Sequence, residues 1–134
     1  MKRRIYLAGA VTGMTKAQMN IWRQEIRLLL KDEFTVINPC IYIPDVITDE
    51  VEKSAMHWDL WQVRNADIIV CDFSHPNSIG TTWELALAAE NNIPIIGVYT
   101  SGEGYIHPWW KIAASHICDN IEELLDYLRA FYKE

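Results

Sequence analysis

Short apolar runs with almost no polar residue inside them recur along this chain, and stretches with helical spacing separate them. Ile5–Ala8, Phe34–Ile37, Ile68–Cys71 and Ile93–Tyr99 read as strands, with Ile117-Cys118 as a short fifth. A strand wetted on one side alternates apolar and polar residues; a strand covered on both sides does not. Buried strands separated by helices imply a parallel sheet with helices on each face, an α/β, doubly wound domain with a four- to five-stranded parallel sheet. The order of elements places the switch point between the first and third strands. The loops after Ala8 and after Cys71 then face one another across a crevice, where open parallel sheets bind their ligands.

The helices carry their own signals. Thr15 with Gln18 forms a capping box for a helix reaching about Lys31, with Met19, Trp22, Ile26 and Leu29–Leu30 at helical spacing. Asn38-Pro39 stops the second strand. Further helices are expected over about Val51–Asn65, Thr82–Asn91 and Pro108–Ala114. Ser101–Gly104 reads as a loop. Asn120 with Glu123 caps a last amphipathic helix bearing Ile121, Leu124, Leu125 and Leu128.

At 134 residues, half of them hydrophobic, residues 1–134 are expected to form a single globular domain. No apolar run approaches the roughly 20 residues that span a bilayer. Met1-Lys2-Arg3-Arg4 looks like the charged start of a secretory leader, but Gly9, Thr12, Gly13 and Lys16 break any apolar segment after it. Three cysteines (Cys40, Cys71, Cys118), odd in number and far apart, fit reduced thiols rather than a disulfide framework. The expected location is cytoplasmic. A net charge of −6 and a pI near 5.2 argue against a nucleic-acid polymer as partner. Nothing suggests a membrane partner.

The chemistry gathers in Ala66–Glu90. A polar loop follows the third strand and closes with Ser78, Gly80 and Thr81, which offer hydroxyls and backbone N–H groups to a sugar or phosphate. Glu84 follows in the first turn of the next helix. Thr81-x-x-Glu84 is itself a capping box, so one reading has Glu84 only holding the helix end. The other turns it inward as a nucleophile or base beside Tyr6, whose hydroxyl can donate to it. Asp59 lies in His57-Trp58-Asp59-Leu60-Trp61; it is either a solvated helix carboxylate or, near those rings, an acid of raised pKa. Two carboxylates of separated pKa suit glycosyl chemistry, one attacking the anomeric carbon while the other protonates the leaving group. Asp67 reads as a strand starter. Asp72, at the mouth of the third strand, is the better site candidate, although loop Asp residues often just form turns. Gly9-Ala10-Val11-Thr12-Gly13 has no Walker or GxGxxG pattern and specifies neither ATP nor a dinucleotide. The four histidines lack ligand spacing, so no metal is expected. His107-Pro108-Trp109-Trp110 is the best candidate for an interface or pocket wall.

In Ile5-Tyr6-Leu7-Ala8-Gly9, in the spacing from Asp59 to Ala66-Asp67, and in Ser78-x-Gly80-Thr81-x-x-Glu84-Leu85, the chain resembles the nucleoside 2-deoxyribosyltransferase family, including its 2'-deoxynucleoside 5'-phosphate N-hydrolase branch. The resemblance implies a flavodoxin/Rossmann-like three-layer fold and cleavage of the bond between nucleobase and (deoxy)ribose without a cofactor. It implies Glu84 as the nucleophile carrying the glycosyl group, Tyr6 orienting it, and Asp59 contacting the sugar or assisting departure of the base. The substrate-binding set would be Gly9, Ala10, Thr12, Asp72, Ser78, Gly80 and Thr81. A neighbouring subunit would complete the pocket, giving a homodimer or higher homo-oligomer. Transferases acting on free nucleosides often carry Asp where Ser78 stands, and the phosphate-accepting branch carries Ser. That branch also has Ser and Arg in its first loop, where this chain has Ala10 and Thr12.

Three readings follow: a transferase exchanging bases between nucleosides, an N-glycosidase hydrolysing nucleoside 5'-monophosphates, and a non-catalytic nucleotide-binding module. For the enzymes the partners are a small nucleoside or nucleotide and a free nucleobase, as in nucleotide salvage.

Overall fold

The computed structural model describes residues 1–42, 44–75, 78–102 and 104–134. Pro76 and Asn77, in the polar loop before Ser78, lie outside the described residues, as does Glu103 of the Ser101–Gly104 loop. Five parallel strands, β1 (Arg4–Ala8), β2 (Thr35–Ile37), β3 (Ile68–Asp72), β4 (Ile95–Val98) and β5 (His116–Cys118), form one sheet in the order β2-β1-β3-β4-β5. The fold is therefore α/β and doubly wound, with its switch point between β1 and β3. There Tyr6 pairs with Ile69 and Ala8 with Cys71.

Alternation along β1 and β3 sorts side chains onto two faces. Ile5, Leu7, Ile68 and Val70 pack beneath α1 (Lys16–Leu30) and α5 (Ile121–Phe131), against Trp22, Ile26, Leu30, Leu124 and Leu128. Tyr6, Ala8, Ile69 and Cys71 pack beneath α2 (Asp49–Arg64), α3 (Ile79–Glu90) and α4 (Pro108–Ala113), against Val63, Leu85, Ala88 and Trp110. α1 and α5 join their layer through an apolar stripe, the usual source of helix stability in a folded domain.

The expected capping box is present at Thr15 and Gln18, and Asn120 accepts from the Glu123 N–H at 2.9 Å. Pro108 opens α4 as its first residue, where its missing N–H costs nothing. Leu29, placed by spacing on the apolar stripe, is instead 46% exposed; Leu30 takes the core position. Asp67 ties the strand starts together, accepting from the Arg4 N–H at 2.8 Å while its own N–H reaches the Arg4 carbonyl. Among the described residues, no helix is long and apolar enough to cross a membrane.

Candidate active site

β1 delivers Tyr6 to the face shared with α2 and α3, and α3 delivers Glu84 to meet it. This helix begins three residues earlier than the sequence spacing predicts. Ser78 is its cap, accepting from the Thr81 N–H at 3.2 Å. Thr81 thus lies inside the helix and Glu84 in its second turn, so the Thr81–Glu84 capping box is not formed. Thr81, Glu84, Leu85 and Ala88 make the inward face instead, at helical spacing.

Glu84 is 8% exposed and accepts a hydrogen bond from the Tyr6 hydroxyl. Burial pushes its carboxyl up to about 8; the Tyr6 hydrogen bond and the Arg23 charge pull it down, and the Asp59 charge pushes it further up. Burial, followed by the charges of Glu84 and Asp59, holds the Tyr6 hydroxyl well above its ordinary value. Tyr6 therefore remains a donor through the physiological range. Asp59, on α2, is half-buried. Burial pushes it up to about 7, with Arg23 opposing and Glu52 adding to the rise. Of its neighbours, Trp58 is half-buried but Trp61 is 54% exposed, so only part of that face is dry. The structure thus joins Tyr6 to Glu84 at the switch point, couples both electrostatically to Asp59, and raises both carboxyls into the neutral range.

The remaining candidates divide. Gly9 is fixed by packing: a Cβ there would stand 2.8 Å from Trp22 Cζ2 and 3.3 Å from Arg23 Nη2, so only glycine lets α1 close on the exit of β1. Ala10 is half-buried and Thr12 exposed in the loop that follows. Gly80 is exposed, and a Cβ there would meet nothing within 4 Å, which leaves the entry of α3 open to an approaching group. Thr81 is buried, and its hydroxyl has no hydrogen-bond partner among the described residues. Asp72 lies between Cys71 and Phe73 of the α2–α4 face, so alternation turns it to the other side of the sheet. It is 1% exposed there, and accepts from the Ser74 N–H, the Thr100 hydroxyl and His75 Nδ1, each at 2.9 Å. The structure separates Asp72 from the Tyr6–Glu84 pair.

Two residues escaped the sequence reading. His75 completes the Asp72 network. Arg23 is 1% exposed and acts electrostatically on Tyr6, Glu84 and Asp59 alike. Its signal was present: with Met19, Trp22, Ile26 and Leu30 it completes the i, i+3, i+4, i+7, i+11 stripe that faces the core. An arginine on that stripe is buried with a purpose or not at all.

Burial drives the Cys40 and Cys118 thiols up to about 11 and Cys71 well above its usual value, which leaves them poor nucleophiles. Among the described residues, no three His, Cys, Asp or Glu side chains gather as a metal would require. Two open concavities, of about 660 and 320 Å³, lie along α3 and α4 around Trp109. Neither is lined by Glu84 or Asp59. Trp109 is 74% exposed in His107–Trp110, whereas Trp110 is buried and donates from Nε1 to the Thr82 hydroxyl at 3.0 Å.

Residues 2–101 match the family described as nucleoside 2-deoxyribosyltransferase like. No curated protein matches the sequence. Among solved structures, the chain is similar to a 2-deoxyribosyltransferase from Bacillus psychrosaccharolyticus, with 19% identity, a TM-score of 0.73, and coverage of 92% of this chain and 91% of that one. It is also similar to a 2-desoxiribosyltransferase from Leishmania mexicana (16% identity, TM-score 0.71, coverage 97% and 99%). A third is a CMP N-glycosidase from Clostridium botulinum (18% identity, TM-score 0.64, coverage 96% and 99%). At such identities these three establish a shared fold, and the match over residues 2–101 establishes kinship: the chain belongs to the nucleoside 2-deoxyribosyltransferase-like family.

Proposed function

We propose that this protein cleaves or transfers the N-glycosidic bond of a (deoxy)nucleoside through a covalent glycosyl–Glu84 intermediate. The observation that carries this reading is the Glu84 carboxylate, buried at the switch point and held by the single hydroxyl of Tyr6. A Glu84 oxygen attacks C1' of the sugar as the C1'–N bond breaks, and the electron pair leaves with the base. Asp59, pushed by burial up to about 7, supplies in its protonated form the proton that the departing base needs. A second base or a water then attacks C1' and frees Glu84. Tyr6 fixes the attacking rotamer, and Thr81 offers the sugar an unpaired hydroxyl. Residues 1–134 act as one domain, in the cytoplasm, where three buried free thiols stay reduced. A second copy of the chain seats against α3 and α4, where Ile79, Trp83, Trp109 and Ile112 stand exposed.

A second reading, hydrolysis of nucleoside 5'-monophosphates, is favoured by the α3 entry. Ser78 caps it, and Gly80 leaves its N–H groups approachable by a phosphate.

A product screen tests both. Nucleosides, deoxynucleosides and their 5'-monophosphates are each incubated with and without a second free base. Exchanged nucleoside supports the transferase, and base released only from monophosphates supports the hydrolase. Absence of both products from every substrate overturns the enzymatic reading and leaves a binding module.

A further inference from the structure

Arg23 enters the site from the opposite layer of the fold. Its Nε donates to the Leu7 carbonyl at 3.3 Å, Nη1 to the Met19 carbonyl at 2.7 Å and Nη2 to the Gly9 carbonyl at 3.0 Å. Its Cζ also lies 4.6 Å from the centre of the Trp22 ring. The guanidinium thus grips β1 on either side of Ala8, two residues beyond Tyr6, beside the Trp22 ring that leaves Gly9 no room for a side chain. Three carbonyls take three of its five N–H donors but do not neutralise its charge. Among the described residues, it takes part in no ion pair. A buried cation without an ion pair is expensive to keep unless something nearby becomes negative. The ionisable groups that feel it are Tyr6 on β1, Cys40 after β2, Asp59 on α2, Cys71 on β3 and Glu84 on α3. Asp72, beyond Gly9, is already saturated by its own donors.

We infer that Arg23 is a positioning residue and the fixed counter-charge of the site: it holds the exit of β1 in register and balances the one negative charge that Glu84 and Asp59 carry between them in the reactive state. The inference rests on the reading of Glu84 as nucleophile. With one proton shared by the pair, the resting order leaves it on Glu84 (about 8) rather than Asp59 (about 7). The competent form, Glu84 ionised and Asp59 protonated, is reached by moving that proton across, and kcat/KM follows a bell whose two limbs belong to the pair rather than to either residue. Removing the positive charge makes each ionisation harder, so both limbs move to higher pH.

The test compares wild type with R23K and R23Q, reading the pH profile of kcat/KM on the best substrate from the screen. R23K keeps the charge and loses the fork. Its limbs stay in place while kcat falls. R23Q shifts both limbs upward by roughly one pH unit. A folded R23Q with the limbs of the wild type overturns the inference. Should R23Q fail to fold, R23M, which leaves no unpaired polar group in the core, is compared with the wild type instead, with Asp59 titrated by carboxyl carbon-13 NMR. A rise of the Asp59 midpoint by roughly one unit on losing Arg23 supports the assignment, and an unmoved midpoint overturns it. This second arm needs no turnover, so failure of the counter-charge is distinguishable from failure of the glycosyl chemistry.

Discussion

Two buried acids at the same edge of the sheet are treated in opposite ways. Asp72 receives a backbone N–H, a hydroxyl and an imidazole, all at 2.9 Å. Glu84, one layer away, receives among the described residues a single hydroxyl. Saturation makes Asp72 a brace: with Ser74 bonded to Gly102 and Ser101, it stitches the loop after β3 to the loop after β4. Starvation leaves Glu84 with unused acceptor capacity and a carboxyl up at about 8. A fold that satisfies one carboxylate so completely had the donors to satisfy the other. The contrast separates an acid kept for structure from one kept for reaction.

The largest effect that could break this contrast is expected from Glu84→Gln. Turnover should fall by about 10³-fold or more, with substrate binding retained. Stability should move the other way. The folded-state value of Glu84 lies above its ordinary 4.5, so the native state holds the proton more tightly and loses stability as pH rises from there to about 8. Thermal melts should therefore favour the Gln variant most at pH 8 and above, with the difference closing on acidification. Equal melting at all pH values would show that burying Glu84 carries no cost.

Tyr6→Phe is next. It strips Glu84 of its one donor, and loss of a hydrogen bond to a charged group lowers turnover by about 10- to 100-fold. The lower limb of the pH profile should rise, because that hydrogen bond is one of the influences pulling the Glu84 value down. Asp72→Asn probes the other acid: denaturant unfolding should show a loss of about 1–3 kcal/mol. A fall in turnover of the folded variant as deep as that of Glu84→Gln would erase the distinction between the two. The smallest effect belongs to Thr81→Val. It removes a buried, unpartnered hydroxyl and should stabilise the ligand-free protein by about 0.5–1 kcal/mol while weakening catalysis.

The layers and the parallel sheet were legible because unbroken runs such as Ile68–Cys71 have only one comfortable environment. Element ends were less so. The Thr81-x-x-Glu84 pattern and the Ser78–Thr81 cap compete for the same helix, and spacing alone does not say which hydroxyl turns back to the backbone. The meeting of Tyr6 with Glu84 spans 78 positions and could be argued only through the strand order. Arg23 was overlooked because a charged side chain in a helix is read by habit as wet. The assignment of Asp72 to one side of the sheet or the other needed the alternation of β3 to be fixed in register.

The outermost strands, β2 and β5, are three residues long. Such stubs give a foreign strand almost nothing to zip onto, so concentrated solutions are protected from fibrous stacking. The bare indole rings on α3 and α4 are then the stickiest part of the molecule. Crowding would bring helices rather than strands together, on the same side of the sheet as the Tyr6–Glu84 pair.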